Sequence, residues 1–261
     1  LPPTAGYCSY YCHDSLPLLS ASAAGAPLLL AACNQRPPET ADATTPAPPP
    51  AVPGPDLMAL ADSNAAQLLL AYGRQYPGQE VLLQTRLGNM RIRLYDDTPI
   101  HTANFLLLSR KGVFDESVFN RVVQSFAIQG GGSERRTIAM RSYRLPPEIR
   151  SQHFHKRGAL AMARYDGEVN PGKLSSNNDF YIVQGEPMPA AQAQASATRP
   201  LTPEQVKTYE TLGGTPGLDG QYTVFGEVVE GLDVIDKIAN EPVGMDKWPT
   251  TDVGIKVKVL K

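Results

Sequence analysis

The side chains able to do chemistry are spread unevenly along this chain. All three cysteines, Cys8, Cys12 and Cys33, precede residue 34. The remainder therefore has no thiol nucleophile, disulfide or thiolate metal site. Cys8, Cys12 and His13 have no second ligand cluster to close a metal site, so no metal is expected. Gly130-Gly131-Gly132 lacks the Lys and Ser/Thr of a phosphate-cradling loop, which argues against nucleotide binding. The run from Asp166 to Asn170 begins like a calcium loop but lacks the sixth-position Gly and the closing Glu. What remains is Arg121, a permanent cation in an apolar run with Phe126 and Gln129 nearby. Taken alone, Arg121 reads as a strand arginine in an ion pair, and Phe126, Tyr181 and Leu218 read as core.

The elements that must position these residues follow from composition and pattern. The 261 residues carry a net charge of -2 and 42% hydrophobic residues. That is enough for a sizeable core and too little positive charge for a nucleic-acid partner. The 24 prolines, about twice ordinary usage, gather early in the chain. Residues 1–33 end in Leu30-Ala31-Ala32-Cys33, which resembles a bacterial lipobox. Cleavage before Cys33 and lipidation of Cys33 are expected, although no Lys or Arg precedes it. Residues 34–56 are rich in Pro, Ala and Thr and predict an extended tether, about 60 Å long at ~3 Å per residue. Residues 57–78 predict a short helical lead-in that packs on the domain or floats.

From residue 79 the pattern turns to strands. Val81–Arg86 and Met90–Leu94 flank Gly88-Asn89, a two-residue hairpin signal. Thr98-Pro99 starts a helix that stops at Gly112. Arg121–Gln129, Ala159–Ala163, Phe180–Gln184, Tyr222–Val229 and Val253–Val259 read as strands, and Leu232–Ala239 as a helix. The predicted fold is mainly β: a closed eight-stranded antiparallel barrel capped by two helices. An insertion at about 185–216 starts loop-like (187–198). It then carries a helix opening at Thr202-Pro203-Glu204-Gln205 and ending at Gly213-Gly214.

Phe119-Asn120-Arg121-Val122-Val123 followed by Phe126-Ala127-Ile128-Gln129-Gly130-Gly131 resembles the cyclophilin signature F-H-R-V-I-x-x-F-M-I-Q-G-G. Further resemblances follow in family order. Gly158–Ala163 is similar to G-x-L-S-M-A, Asn178–Ile182 to S-Q-F-F-I, Leu218–Gly226 to L-D-x-x-x-x-V-F-G, and Val228–Ile235 to V-V-x-G-M-D-V-V. The resemblance spans roughly residues 80 to 261 and implies peptidyl-prolyl cis-trans isomerase activity without cofactor or metal. Amide resonance gives prolyl rotation a barrier of ~18–20 kcal/mol. No nucleophile is needed. A site need only grip the ring and stabilise the twisted amide better than either planar form.

On this resemblance Arg121 is the catalytic donor and the only cation of the pocket motif. Phe126, Tyr181 and Leu218 wall the proline pocket, Gln129 bonds the substrate backbone, Ala163 forms the floor, and Asn120 and Tyr222 also touch substrate. The departures are Asn120 for His, Ala127 for Met, Asp179 for Gln, Tyr181 for Phe and Tyr222 for His. The Tyr181 hydroxyl needs a partner. Gly217 stands where cyclosporin-sensitive relatives carry Trp. The insertion resembles extended loops of bacterial envelope cyclophilins. The expected partners are proline-containing polypeptides. The chain is expected as a monomer in the bacterial cell envelope, touching the membrane only through a lipid on Cys33. The alternative is a peptide-binding or chaperone-like module with little catalysis on the same fold.

Overall fold

Apolar and charged residues alternate in β1 (Glu80–Thr85) and β2 (Gly88–Leu94), so each strand presents one apolar face. Val81 pairs with Ile92 and Leu83 with Met90, and all four are fully buried. In this computed structural model, which describes residues 52–133, 137–164 and 169–260, the turn residues are Arg86 and Leu87. Gly88 already pairs with Thr85, so the expected Gly88-Asn89 turn is displaced by two positions. Gly88 is required by its φ of 138° and by Val234, whose Cγ2 would lie 2.7 Å from an added Cβ. Cys33, its lipobox, the tether up to residue 51 and residues 166–168 lie outside the described part.

The remaining strands are β3 (Phe119–Val123), β4 (Ala127–Gly130), β5 (Arg144–Leu145), β6 (Ala159–Met162), β7 (Ser175–Ser176), β8 (Phe180–Val183), β9 (Val224–Glu230) and β10 (Lys256–Val259). Eight form one antiparallel sheet in the order β10-β1-β2-β9-β6-β8-β4-β3, and β5 pairs with β7 separately. The sheet curls into a half-barrel and does not close as expected. Only the residues leading into its two edge strands touch, at the isolated bridge Val118↔Gly254, with bonds from Phe119 N to Val253 O and Ile255 N to Ser117 O. Beyond that bridge a loop takes the edge of β3, because Val122 N donates to Lys247 O at 2.8 Å. The single strand expected over Arg121–Gln129 is two, broken at residues 124–126, where Ser125 adopts φ 61°.

Five α-helices stand among the described residues, one more than the lead-in helix, two caps and insertion helix expected: α1 (Ala65–Gln75), α2 (Pro99–Arg110), α3 (Ala190–Ser196), α4 (Pro203–Thr211) and α5 (Leu232–Ala239). α3 falls where a loop was expected. Thr98 precedes α2 with Pro99 at its first turn, but the Thr98 hydroxyl donates to Tyr95 O. The free amides of Ile100 and His101 donate instead to the Glu148 carboxylate, at 3.1 and 2.9 Å. An anion there also complements the helix dipole. Thr202 and Gln205 form the expected capping box on α4. The lead-in does not float: Leu57, Leu60, Leu69 and Tyr72 are buried in the main core against α2. No helix among the described residues is long and apolar enough to cross a membrane.

Candidate active site

The period-2 pattern of three neighbouring strands builds the site. Ile128, Leu160, Met162, Phe180 and Ile182 point into the main core. Their alternates Ala127, Ala159, Ala161, Tyr181 and Val183 form a second apolar cluster, with Phe126, Ala163, Leu218 and Tyr222 against it. Small side chains on the strands and large ones around them leave a hollow. Its volume is about 300 Å³, and it is lined by Arg121, Phe126, Ala127, Gln129, Ala163, Arg164, Tyr181, Leu218 and Tyr222. Seven of the residues singled out from sequence therefore meet in one cavity.

Asn120 does not. It alternates away from Arg121 on β3, and its amide nitrogen lies where a Cβ on Gly132 would be, 2.6 Å off. The Arg121 guanidinium is exposed and has no hydrogen bond or ion pair among the described residues, so the ion-pair alternative fails. Nor is Arg121 the only cation. Arg164 also lines the cavity, its Cζ 4.7 Å from the Tyr222 ring centroid. Its Nε is buried with no partner among the described residues.

The Tyr181 hydroxyl has its partner. It lies 3.0 Å from His155 Nε2, and His155 Nδ1 lies 2.9 Å from Asp219 Oδ1. The other Asp219 oxygen accepts from the Tyr209 hydroxyl at 2.7 Å, and Oδ1 also accepts from His155 N at 2.8 Å. Burial holds the His155 pKa below its ordinary value, against the pull of Asp219. Burial also pushes the Tyr181 hydroxyl well above its own. The ring is thus neutral, with the proton on Nδ1 facing the carboxylate, and Nε2 accepts the Tyr181 O–H. The hydroxyl proton turns away from the cavity, and the Tyr181 ring stands as an apolar wall, T-shaped to Tyr222 at 5.8 Å. Sequence reasoning missed His155, Tyr209 and Arg164. The one signal was the unmatched hydroxyl of Tyr181.

Residues 80–259 match the family described as cyclophilin type peptidyl-prolyl cis-trans isomerase/CLD. A Staphylococcus saprophyticus protein named for peptidyl-prolyl cis-trans isomerase activity is 32% identical over 180 residues, covering 67% of this chain and 88% of its own length. A Streptococcus pyogenes protein named as a bifunctional phosphatase and peptidyl-prolyl cis-trans isomerase is 33% identical over 189 residues, covering 69% of this chain and 38% of its own. A crystal structure of a Cryptosporidium parvum cyclophilin-type isomerase superposes with a TM-score of 0.52 at 21% identity, covering 70% of this chain and 98% of that one. A second, in the presence of the dipeptide Ala-Pro, gives 0.51 at 22%, covering 70% and 99%. The motifs, the curled sheet and these relatives agree: the chain belongs to the cyclophilin-type peptidyl-prolyl cis-trans isomerases.

Proposed function

We propose that X-Pro rotation is catalysed in the cavity of Phe126, Ala163, Tyr181 and Leu218, with Arg121 as the catalytic residue. The observation that carries this is the Arg121 guanidinium, unpaired among the described residues, lining a cavity of about 300 Å³ that Phe126, Ala163, Tyr181 and Leu218 also line. The slot holds the proline ring. As the amide twists it loses conjugation: the lone pair localises on its nitrogen, the C–N bond lengthens and the carbonyl regains full double-bond character. The Arg121 guanidinium, planar and permanently charged, donates to that lone pair. Gln129, opposite Arg121 on β4, supplies polar contacts to the substrate backbone. Arg164 over Tyr222 adds a second positive charge at the rim. No covalent step is involved. Prolyl exchange measured by NMR on the whole chain, wild type beside Arg121→Ala, tests the assignment. We expect kcat/KM to fall at least ~100-fold, the usual effect of losing one preorganised donor, with the fold retained. Equal activity in two folded proteins would remove Arg121 from the mechanism.

We further propose that the isomerase is tethered to a membrane. Residues 1–33 act as a signal segment, Cys33 carries the lipid, and 34–56 hold the monomeric isomerase clear of the membrane, facing proline-containing segments of envelope proteins. The support is the Leu30-Ala31-Ala32-Cys33 sequence and the proline-rich stretch after it. In a bacterial host, Cys33→Ser should leave the precursor uncleaved and unlabelled by a fatty-acid probe. Labelling that persists in the variant would overturn the anchor.

A further inference from the structure

A second cavity of about 490 Å³ adjoins the proline slot. The two share walls through consecutive residues. Ser125 lines the second cavity and Phe126 the first. Gly217 lines the second and Leu218 the first. Phe126 and Leu218 thus form a divide, and a chain leaving the proline slot crosses it within one or two residues, at about 3.3 Å each.

The insertion builds the far side. Met188 precedes α3, and Gln192 lies on it. The cavity is preformed by tight backbone contacts. Glu186 bridges to Gly214. Gly214 has φ 149°, and an added Cβ would stand 2.3 Å from His155 O. Met188 N donates to Tyr209 O at 3.1 Å.

Its chemistry has a sign. Glu186 is the only charged residue of the lining, and no cation offsets it there. The Glu186 carboxylate is exposed and aimed by Ser125, whose hydroxyl donates to Oε1. Ser125 is itself held at φ 61° by Gln184, whose Oε1 accepts from Ser125 N at 2.7 Å. Thr215 adds a hydroxyl that is buried without a partner among the described residues.

We infer that this cavity is a subsite for the client residue flanking the proline, and that Glu186 selects a basic side chain there. The inference rests on the reading that the adjoining slot takes the proline. The occupant follows from continuity: a polypeptide held in the first cavity must pass along the second or away from it, and the insertion walls the path beside Phe126 and Leu218. A Lys or Arg placed there gains an exposed ion pair, and a Glu is repelled.

The test is a peptide scan on the whole chain. Alanine peptides with one central proline carry Lys or Glu at each position on either side, and exchange NMR gives kcat/KM for each. We expect one position at which Lys is favoured over Glu by roughly three- to tenfold, as one surface ion pair gained against one repelled. The preference should shrink with added salt. It should fall toward unity in Glu186→Gln and invert in Glu186→Lys. The ratio is internal to each variant, so a general loss of activity does not imitate the result. A flat scan, or one preference shared by wild type and both variants, overturns the subsite while leaving the proline slot intact. If wild type fails on the unsubstituted alanine peptide, it is the parent reading that falls. Calorimetric affinities for the same Lys and Glu peptides then decide the subsite by the same ratio.

Discussion

At the scale of single residues, the wall of the proline slot depends on a side chain that never reaches it. Tyr181→Phe keeps the ring but strips His155 Nε2 of its donor. A buried group left unpaired costs about 1–3 kcal/mol. The variant should therefore lose that much stability in urea titration, while kcat/KM stays within a few-fold of wild type. A drop comparable to that of Arg121→Ala would mean that the hydroxyl itself takes part. Because burial depresses the His155 pKa, the unfolded chain protonates this residue at a higher pH than the fold does. Its contribution is constant well above pH ~6.5 and turns destabilising as pH falls below that. Nitrogen shifts should show a neutral, Nδ1-protonated His155 ring at pH 7. An imidazolium at that pH would refute the orientation given to Tyr181. In the sequence Tyr181 is legible as a departure from the family pattern. His155 is not, because it lies 26 positions away and only the pairing of β6 with β8 brings it near.

At the scale of elements, alternation reveals the strands because each buries one face. That signal fails between Val122 and Gln129, where apolar residues flank Gln124 and Ser125 on both sides of the turn that lifts Phe126 out of the ladder, its carbonyl accepting from the Gln184 and Gly185 N–H groups. It fails again at α3. Ala and Gln favour helix, but the seven residues bury only Ala193 and have no side-chain cap. Such a helix exists through its packing on α4 and on the turn Pro216–Leu218, which no local pattern records. This unexpected helix bears on inhibitor binding. Loss of a large aromatic anchor commonly costs ~2–4 kcal/mol, roughly thirty- to a thousandfold in affinity. With Gly217 in place of the aromatic, the domain should bind cyclosporin that much more weakly than tryptophan-bearing relatives. Gly217→Trp should restore only part, because a Cβ there already stands 3.2 Å from the Ser196 carbonyl at the end of α3. Tight calorimetric binding by the unmodified chain would show that Gly217 does not hold the anchor position.

At the scale of the whole molecule, the folded unit is larger than the segment that defines the family. The family match begins at residue 80, yet Leu57, Leu60, Leu69 and Tyr72 belong to the same core as β1 and α2. Arg110 ties the two helices further by donating to Tyr72 Oη at 3.0 Å and to Tyr76 O at 2.9 Å. Truncation to 79–261 should therefore expose the outer face of α2 and remove on the order of 1.5 kcal/mol or more for each of those side chains. Urea midpoints of 52–261 and 79–261 measure it, and coincident midpoints would make the lead-in an ornament. The apolar spacing of 57–72 reads as one short helix, but only Ala65 onward is helical and residues 57–64 form turns. Its docking is not legible, because the matching surface on α2 is written in another part of the chain.

The seam between the sheet's edges has a consequence for optical work. Trp248 is the only tryptophan in the chain. Its indole N–H donates to Asp252 at 3.1 Å, and its neighbour Lys247 accepts from Val122 on the edge of β3. The proline slot contains no indole. Tryptophan fluorescence of this protein is therefore a gauge of whether β3 and the chain entering β10 remain joined. A peptide occupying the slot should pass without a change in that emission, and the signal for substrate has to come from the tyrosines that enclose it.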